Sequence, residues 1–295
     1  MRHLIIGANG LVGGHFLSFL QSTDIDVEGT YFSRQRNKLN FLNLLDLESI
    51  YSFLEKFKPD VIIICSNFPG GVDKCESEKE KSKKLHYDST VEIVKFCKDF
   101  SSKLVYISTD YVFDGLNSPY SEEDSPNPLN YYGEMKLKSE KIIAQELEKY
   151  LIIRTTNVFG WDPKTVTPNF MMSAYFKLIN EESVPSPSFL FGNPTYVTDL
   201  VSGICSLLEK KKNGLYHLVG DSYLNRFEWL NIFCDIAEFD NSLLEKIETP
   251  PDFKVKRPLN SNLLNHKFCE ATNFKMNDVF SATKLFVNEM KNHKD

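Results

Sequence analysis

The chain contains no CxxC pair, no histidine and cysteine cluster at zinc-site spacing, no basic stripe and no apolar run of membrane-spanning length. Each absence removes a class of function. Cys65, Cys75, Cys97, Cys205, Cys234 and Cys269 are scattered through a chain too large to need disulfide staples, so they read as reduced thiols of a cytoplasmic protein. His3, His15, His86, His217, His266 and His293 lack partners at ligand spacing, and no metal is expected. Nothing approaches the roughly 20 apolar residues that cross a bilayer. Residues 3–6 run straight into a glycine turn, so the start is expected to belong to the fold rather than to a signal peptide. With 34 Lys and Arg spread along the chain against 40 Asp and Glu, nucleic acid is not an expected partner. No internal repeat or low-complexity tract is present, and the charge run from Glu76 to Lys84 reads as a solvated helix face.

What the chain does have is alternation. Short apolar runs at Leu4 to Ile6, Val27 to Phe32, Val61 to Cys65, Leu104 to Ser108 and Leu151 to Thr155 are separated by helical stretches beginning near Leu11, Asp46, Asp73 and Tyr131. This pattern predicts an α/β fold, a doubly wound parallel sheet of Rossmann type covered on both faces. After Arg154 prolines punctuate the chain, while Gly214 to Val219 reads again as a strand. The expected division is a dinucleotide-binding domain over 1–156, rejoined by about 193–219. A smaller, discontinuous substrate lobe takes 157–192 and 220–295.

Gly7-Ala8-Asn9-Gly10-Leu11-Val12-Gly13 follows the first strand and opens the first helix. In that context Gly7 permits the tight turn, Gly10 lets a pyrophosphate approach the backbone, and Gly13 allows helix and strand to pack closely. Gly7, Asn9, Gly10, Leu11, Val12 and Gly13 are the candidate phosphate cradle. The second strand ends Gly29-Thr30-Tyr31-Phe32-Ser33-Arg34 with no acid to take a ribose 2′-hydroxyl. Ser33, Arg34 and the nearby Arg36 suit a 2′-phosphate instead, favouring NADP(H) and leaving NAD(H) open.

Ser108-Thr109-Asp110 sits at the carboxyl end of the fourth main run, where ligands bind in open α/β sheets. Tyr132 precedes Lys136 by four residues, so on a helix both side chains leave one face. An ammonium beside a phenol is expected to lower its pKa toward working pH and make a proton device for carbonyl chemistry. Chance alone would supply such a spacing about once in a chain of this composition. A strand-end hydroxyl, a helix-borne Tyr and Lys, and an upstream nucleotide turn together are far rarer.

These segments resemble the extended short-chain dehydrogenase/reductase family, and within it the dTDP-4-dehydrorhamnose reductases and their sugar-nucleotide relatives. The resemblance runs through Gly7 to Gly13, Val72 to Glu76, Ser108 to Gly115, Pro128 to Asn130 leading into Tyr132 and Lys136, Gly192 to Thr195, Gly214 to Leu218 and Arg257 to Ser261. It implies an NADPH-dependent reduction of a nucleotide-linked 4-keto-6-deoxy sugar, feeding surface polysaccharide. Thr109 would orient the ketone oxygen, Tyr132 would protonate it, and Lys136 would tune the tyrosine and hold the nicotinamide ribose beside Ser108. Asn43 and Leu44 would line the adenine. Asp110, Asn157, Asn169 and Arg257 would lie around the sugar and its phosphates. The same scaffold also runs epimerases and dehydratases, and Asp110 keeps the latter open. One superfamily member serves instead as the regulatory partner of methionine adenosyltransferase. A homodimer is the assembly such relatives suggest. Tyr87 falls near a helix position where many relatives carry asparagine, and Asn157 stands where rhamnose-type reductases commonly have tryptophan.

Overall fold

In the computed structural model, described here for residues 1–33, 38–163 and 167–292, the apolar runs form one sheet of seven strands. Its strands are β1 (Arg2–Ile6), β2 (Asp26–Tyr31), β3 (Asn40–Phe41), β4 (Val61–Ile64), β5 (Lys103–Thr109), β6 (Tyr150–Thr155) and the late strand Gly214–His217. From one edge the order is Gly214–His217, β6, β5, β4, β1, β2, β3, with every neighbouring pair parallel. The chain therefore winds outward twice from β1, and the order reverses between β1 and β4. In open parallel sheets that switch point is where ligands bind.

The helices are α1 (Leu11–Gln21), α2 (Leu47–Phe57), α3 (Gly71–Ser77), α4 (Lys79–Lys83), α5 (Ser89–Phe100), α6 (Tyr131–Glu146), α7 (Phe170–Leu178), α8 (Val197–Glu209), α9 (Arg226–Ala237), α10 (His266–Thr272) and α11 (Val279–Asn292). Among the described residues, no helix is long and apolar enough to cross a membrane. Strand side chains alternate between the faces with period two, and both faces are apolar. Leu4, Ile6, Ile62, Ile64, Leu104 and Tyr106 pack with α2, α5 and α6 on one side. Ile5, Val61, Ile63, Val105 and Ile153 pack with residues of α1, α8 and α10 on the other.

A second core gathers Phe159, Met171, Tyr175, Trp229, Phe233 and Phe286 from segments far apart in sequence. Small pairings stitch it together: Leu244–Ile247 lies parallel to Val184–Pro187, and Phe191–Gly192 sits between Leu224–Asn225 and Asn260–Ser261. The division expected from sequence needs one adjustment. Phe268 and Met276, which that division places in the lobe, are buried in the core under the sheet, where α10 packs against both α8 and the strand Gly214–His217.

Candidate active site

The first strand delivers the chain into a tight turn in which Gly7 has φ +88°, a region costly for other residues. At Gly13 a Cβ would sit 2.3 Å from the Gly7 carbonyl oxygen, so α1 can pack this close to β1 only with glycine there. Gly10 is different: a Cβ would meet only the Gly7 oxygen, at 3.5 Å. No protein contact demands glycine at that position, which is exposed and faces the cleft. Gly10 is also the N-cap of α1 and provides no side-chain cap, so the first turn presents free N–H donors. Residues and space here fit a dinucleotide pyrophosphate.

One cleft of about 850 Å³ runs from this turn across the carboxyl ends of β1, β2, β4 and β5. Gly7, Asn9, Gly10, Leu11, Val12, Ser33, Asn43, Leu44, Ser108, Thr109, Asp110, Tyr132, Lys136, Asn157, Asn169 and Arg257 all line it. Gly13 does not, because it acts from behind the turn. Arg34 and Arg36 lie outside the described residues. At the far end of β2 the lining is Thr30, Tyr31, Phe32 and Ser33, with no carboxylate. The acids of that strand, Asp26 and Glu28, pair instead with Arg2 at the opposite edge. The Asn43 side chain accepts the Leu45 N–H at 3.0 Å, fixing the turn that carries buried Leu44 to the cleft.

Asn130 caps α6 by accepting the Gly133 N–H at 3.0 Å, which aims the first turn and Tyr132 at the end of β5. Tyr132 packs edge-on against Tyr111 and His86, with ring centroids 5.8 and 5.3 Å away. One turn on, Lys136 Nζ donates to the Ile107 carbonyl at 2.8 Å and lies 6.0 Å from the centre of the Tyr132 ring. The expectation that Lys136 pulls the phenol down is corrected here. Burial is the largest influence on Tyr132 and pushes its pKa up, Thr109 offsets part of that, and the neighbouring Asp110 and Cys75 push it further up. It is the lysine that moves toward neutrality, to about 8, again through burial, with Glu140 opposing.

Glu140 was not singled out in the sequence. It lies one further turn along α6, accepts the Ser108 hydroxyl at 2.5 Å and forms a buried ion pair with Arg154 of β6 at 2.7 Å. Its i+4 spacing from Lys136 was the available signal. His86 is a second omission. It sits in a π-helical turn, Lys84–Asp88, which swings it inward so that it, rather than Tyr87, faces Tyr132. Cys75 Sγ lies 3.9 Å from its Nε2.

At the substrate end, Thr109 caps the short 3₁₀ turn Asp110–Val112 and donates to Asp110 at 3.1 Å. Burial holds Asp110 above the usual carboxylate range, opposed by hydroxyls of Ser261, Thr156 and Thr109. Asn157 takes a left-handed φ of +47°. Asn169 reaches the cleft, but its side chain is engaged at both ends, accepting from Met172 N and donating to the Gly160 carbonyl. Arg257 pairs with Asp73 at 2.9 Å and stacks over Phe253. Arg226, absent from the sequence reading, also lines this end. Among the described residues no group of three or more His, Cys, Asp or Glu is placed to hold a metal, and all six cysteines are free.

The family model described as the RmlD substrate binding domain matches residues 1–292. The chain belongs to the RmlD family. It is thus a member of the extended short-chain oxidoreductases, NAD(P)-dependent enzymes of nucleotide-sugar chemistry. Methionine adenosyltransferase 2 subunit beta from Xenopus tropicalis is 30% identical over 268 residues, covering 89% of this chain and 80% of that protein. A dTDP-4-dehydrorhamnose reductase from Aggregatibacter actinomycetemcomitans is 27% identical over 301 residues, covering 96% and 97%. Among solved structures, dTDP-4-dehydrorhamnose reductase from Bacillus anthracis in complex with NADP superposes with a TM-score of 0.85 at 26% identity, covering 98% of this chain and 99% of that one.

Proposed function

We propose that this RmlD-family protein uses NADPH to reduce the ketone of a nucleotide-linked 4-keto-6-deoxy sugar, providing a deoxysugar for surface polysaccharide in the cytoplasm. The observation that carries this reading is that Thr109, Tyr132 and Lys136 line one cleft with the glycine turn. The reductase relative and the NADP-bound neighbour support the same chemistry. In this reading Gly7, Asn9, Gly10, Leu11 and Val12 hold the pyrophosphate, Asn43 and Leu44 line the adenine, and Ser33 with Arg34 takes the 2′-phosphate. The preference for NADP(H) over NAD(H) rests on the missing acid at the end of β2.

When bound, the dinucleotide supplies the hydride. The Thr109 hydroxyl turns from Asp110 to the ketone oxygen and holds it within reach of Tyr132. Tyr132 then gives that oxygen its proton. A phenol kept protonated by burial is the form that a reduction requires. Lys136, still ammonium below pH about 8, stabilises the phenolate left behind. Asp110, Asn157 and Arg257 contact the sugar and its phosphates, while Asn169 shapes the wall through Gly160.

The test is to mix the purified protein with NADPH and a panel of nucleotide keto-sugars. Stoichiometric NADPH oxidation is expected, falling about 10²- to 10⁴-fold in Tyr132→Phe. The absence of any oxidation that depends on Tyr132 would remove the proposal. Cofactor recycled without net consumption would indicate an epimerase or dehydratase. One observation favours a regulatory role instead: the adenosyltransferase subunits match at 30% identity, against 27% for the reductase. NADP binding without turnover, together with co-purification with methionine adenosyltransferase, would support that second reading.

A further inference from the structure

Tyr132 is held by two other segments of the chain. Its ring meets Tyr111 edge-on, and Gly133 lets α6 abut that turn, since a Cβ there would clash with the Tyr111 carbonyl oxygen. The second ring is His86, 5.3 Å away with 72° between the planes. His86 is 2% exposed, and burial, helped by the nearby Lys136 ammonium, drives its pKa well below the ordinary 6.5. The imidazole is therefore neutral near pH 7. A polar ring buried this deeply is costly, because among the described residues its nitrogens have one partner, the Cys75 thiol of α3, 3.9 Å from Nε2. Burial pushes that thiol above its ordinary pKa, so it too stays neutral. An apolar side chain would fill the same space at less cost.

The backbone of His86 is tied to the helix that carries Tyr132. Its carbonyl accepts the Ser139 hydroxyl, from α6, at 2.6 Å and the Thr90 hydroxyl at 2.8 Å. Ring and carbonyl together fix the π-helical turn against α6, while Phe68 of the cleft-lining loop meets the imidazole at 6.5 Å. Tyr132 itself is half-buried, with its open side on the cleft, so the orientation of its phenol depends on the edges packed against it. An edge-on aromatic pair favours the held orientation by about two- to tenfold. We propose that His86 is a positioning residue for Tyr132, its imidazole edge, oriented by the Cys75 thiol, aiming the phenol before a substrate arrives. A hydroxyl aimed in advance meets the ketone oxygen without a further search. The inference rests on the reading that Tyr132 supplies the proton in a ketone reduction.

The test compares His86→Leu, which keeps volume without a ring, His86→Asn, which keeps a polar group without a ring, and His86→Phe, which keeps the ring edge. The first readout needs no turnover. It is the Tyr132 ring-flip rate by NMR in NADP⁺-saturated protein carrying ¹³C-labelled tyrosine, the signal being assigned by its loss in Tyr132→Phe. Flips should be about two- to tenfold faster in His86→Leu and His86→Asn, and near wild type in His86→Phe. The second readout is NADPH oxidation with a nucleotide-linked 4-keto-6-deoxy sugar. There kcat and kcat/KM should fall together, by about two- to tenfold in the Leu and Asn variants, with KM unchanged. His86→Phe should recover most of kcat and keep the wild-type pH profile, because a neutral ring edge carries no proton. A wild-type flip rate or a wild-type kcat in His86→Leu overturns the proposal. Recovery by Asn with loss in Phe also overturns it, assigning His86 a hydrogen-bonding or proton-transfer role. Faster flips in His86→Leu of a protein that oxidises no NADPH would count against the reductase reading and leave the positioning of Tyr132 standing.

Discussion

At Tyr132, two neighbouring rings and a depth of protein above the cleft floor set the chemistry of the phenol before any cofactor is considered. Lys136 bonds a strand carbonyl, and its own charge is the one brought close to titration. In the cofactor-free protein, side-chain nitrogen NMR of labelled lysine should therefore find one lysine with a midpoint near pH 8 that disappears in Lys136→Met. A midpoint at the ordinary 10.5 would contradict this. The Tyr132 and Lys136 pair was legible as a spacing, but the direction of its coupling was not. Spacing tells which groups meet, whereas desolvation depends on what covers them, here His86, Tyr111 and Tyr106 from three other segments.

The elements that carry these residues are joined through α6. Glu140 on that helix ties Ser108 of β5 to Arg154 of β6, both charges being nearly fully buried. Removing one partner leaves a buried, uncompensated cation, so Glu140→Ala should lose about 3–5 kcal/mol of stability in denaturant titration. A loss below about 1 kcal/mol, typical of a surface pair, would show that the tie is dispensable. The other critical junction is α1 against β1. Gly13→Ala places a Cβ 2.3 Å from the Gly7 oxygen, so the turn must shift and NADP⁺ affinity should fall at least tenfold in fluorescence titration. Unchanged affinity would separate that turn from the cofactor. Most of these elements were readable from continuous apolar runs and the glycine turn. Strand β3 was not: with two residues, half-buried and exposed, it carries no period. Nor was the π-helical turn at Lys84–Asp88. Thr90 and Ser139 both donate to the His86 carbonyl there, the second from α6, so tertiary bonds satisfy what the widened turn leaves free.

At the scale of the whole molecule, the sheet and the composite lobe meet over the cleft that holds Thr109, Tyr132 and Lys136, and buried polar groups contribute to how the protein responds to pH. Burial and the Arg154 cation depress His217 to about 3, against 6.5 for an ordinary imidazole. Between those values the unfolded chain binds a proton that the folded chain refuses, so stability falls as pH drops from about 6.5 toward 3. Replacing His217 with Asn should flatten that slope in thermal melts taken across the window, and an unchanged slope would remove His217 as a cause. At this scale the doubly wound sheet was legible from the alternation of runs and helical stretches. The assignment of residues 266–276 was not, because α10 follows a proline-rich stretch yet folds back under the sheet. The central claim is that this cleft performs a net, Tyr132-dependent ketone reduction on a nucleotide-linked sugar. Its most direct test is spectrophotometric NADPH consumption by wild type and Tyr132→Phe with a nucleotide-linked 4-keto-6-deoxy sugar as the sole acceptor. We predict one NADPH oxidised per sugar reduced by wild type and a rate about 10²- to 10⁴-fold lower in the variant. Equal rates in the two proteins, or no consumption by wild type, would contradict the account.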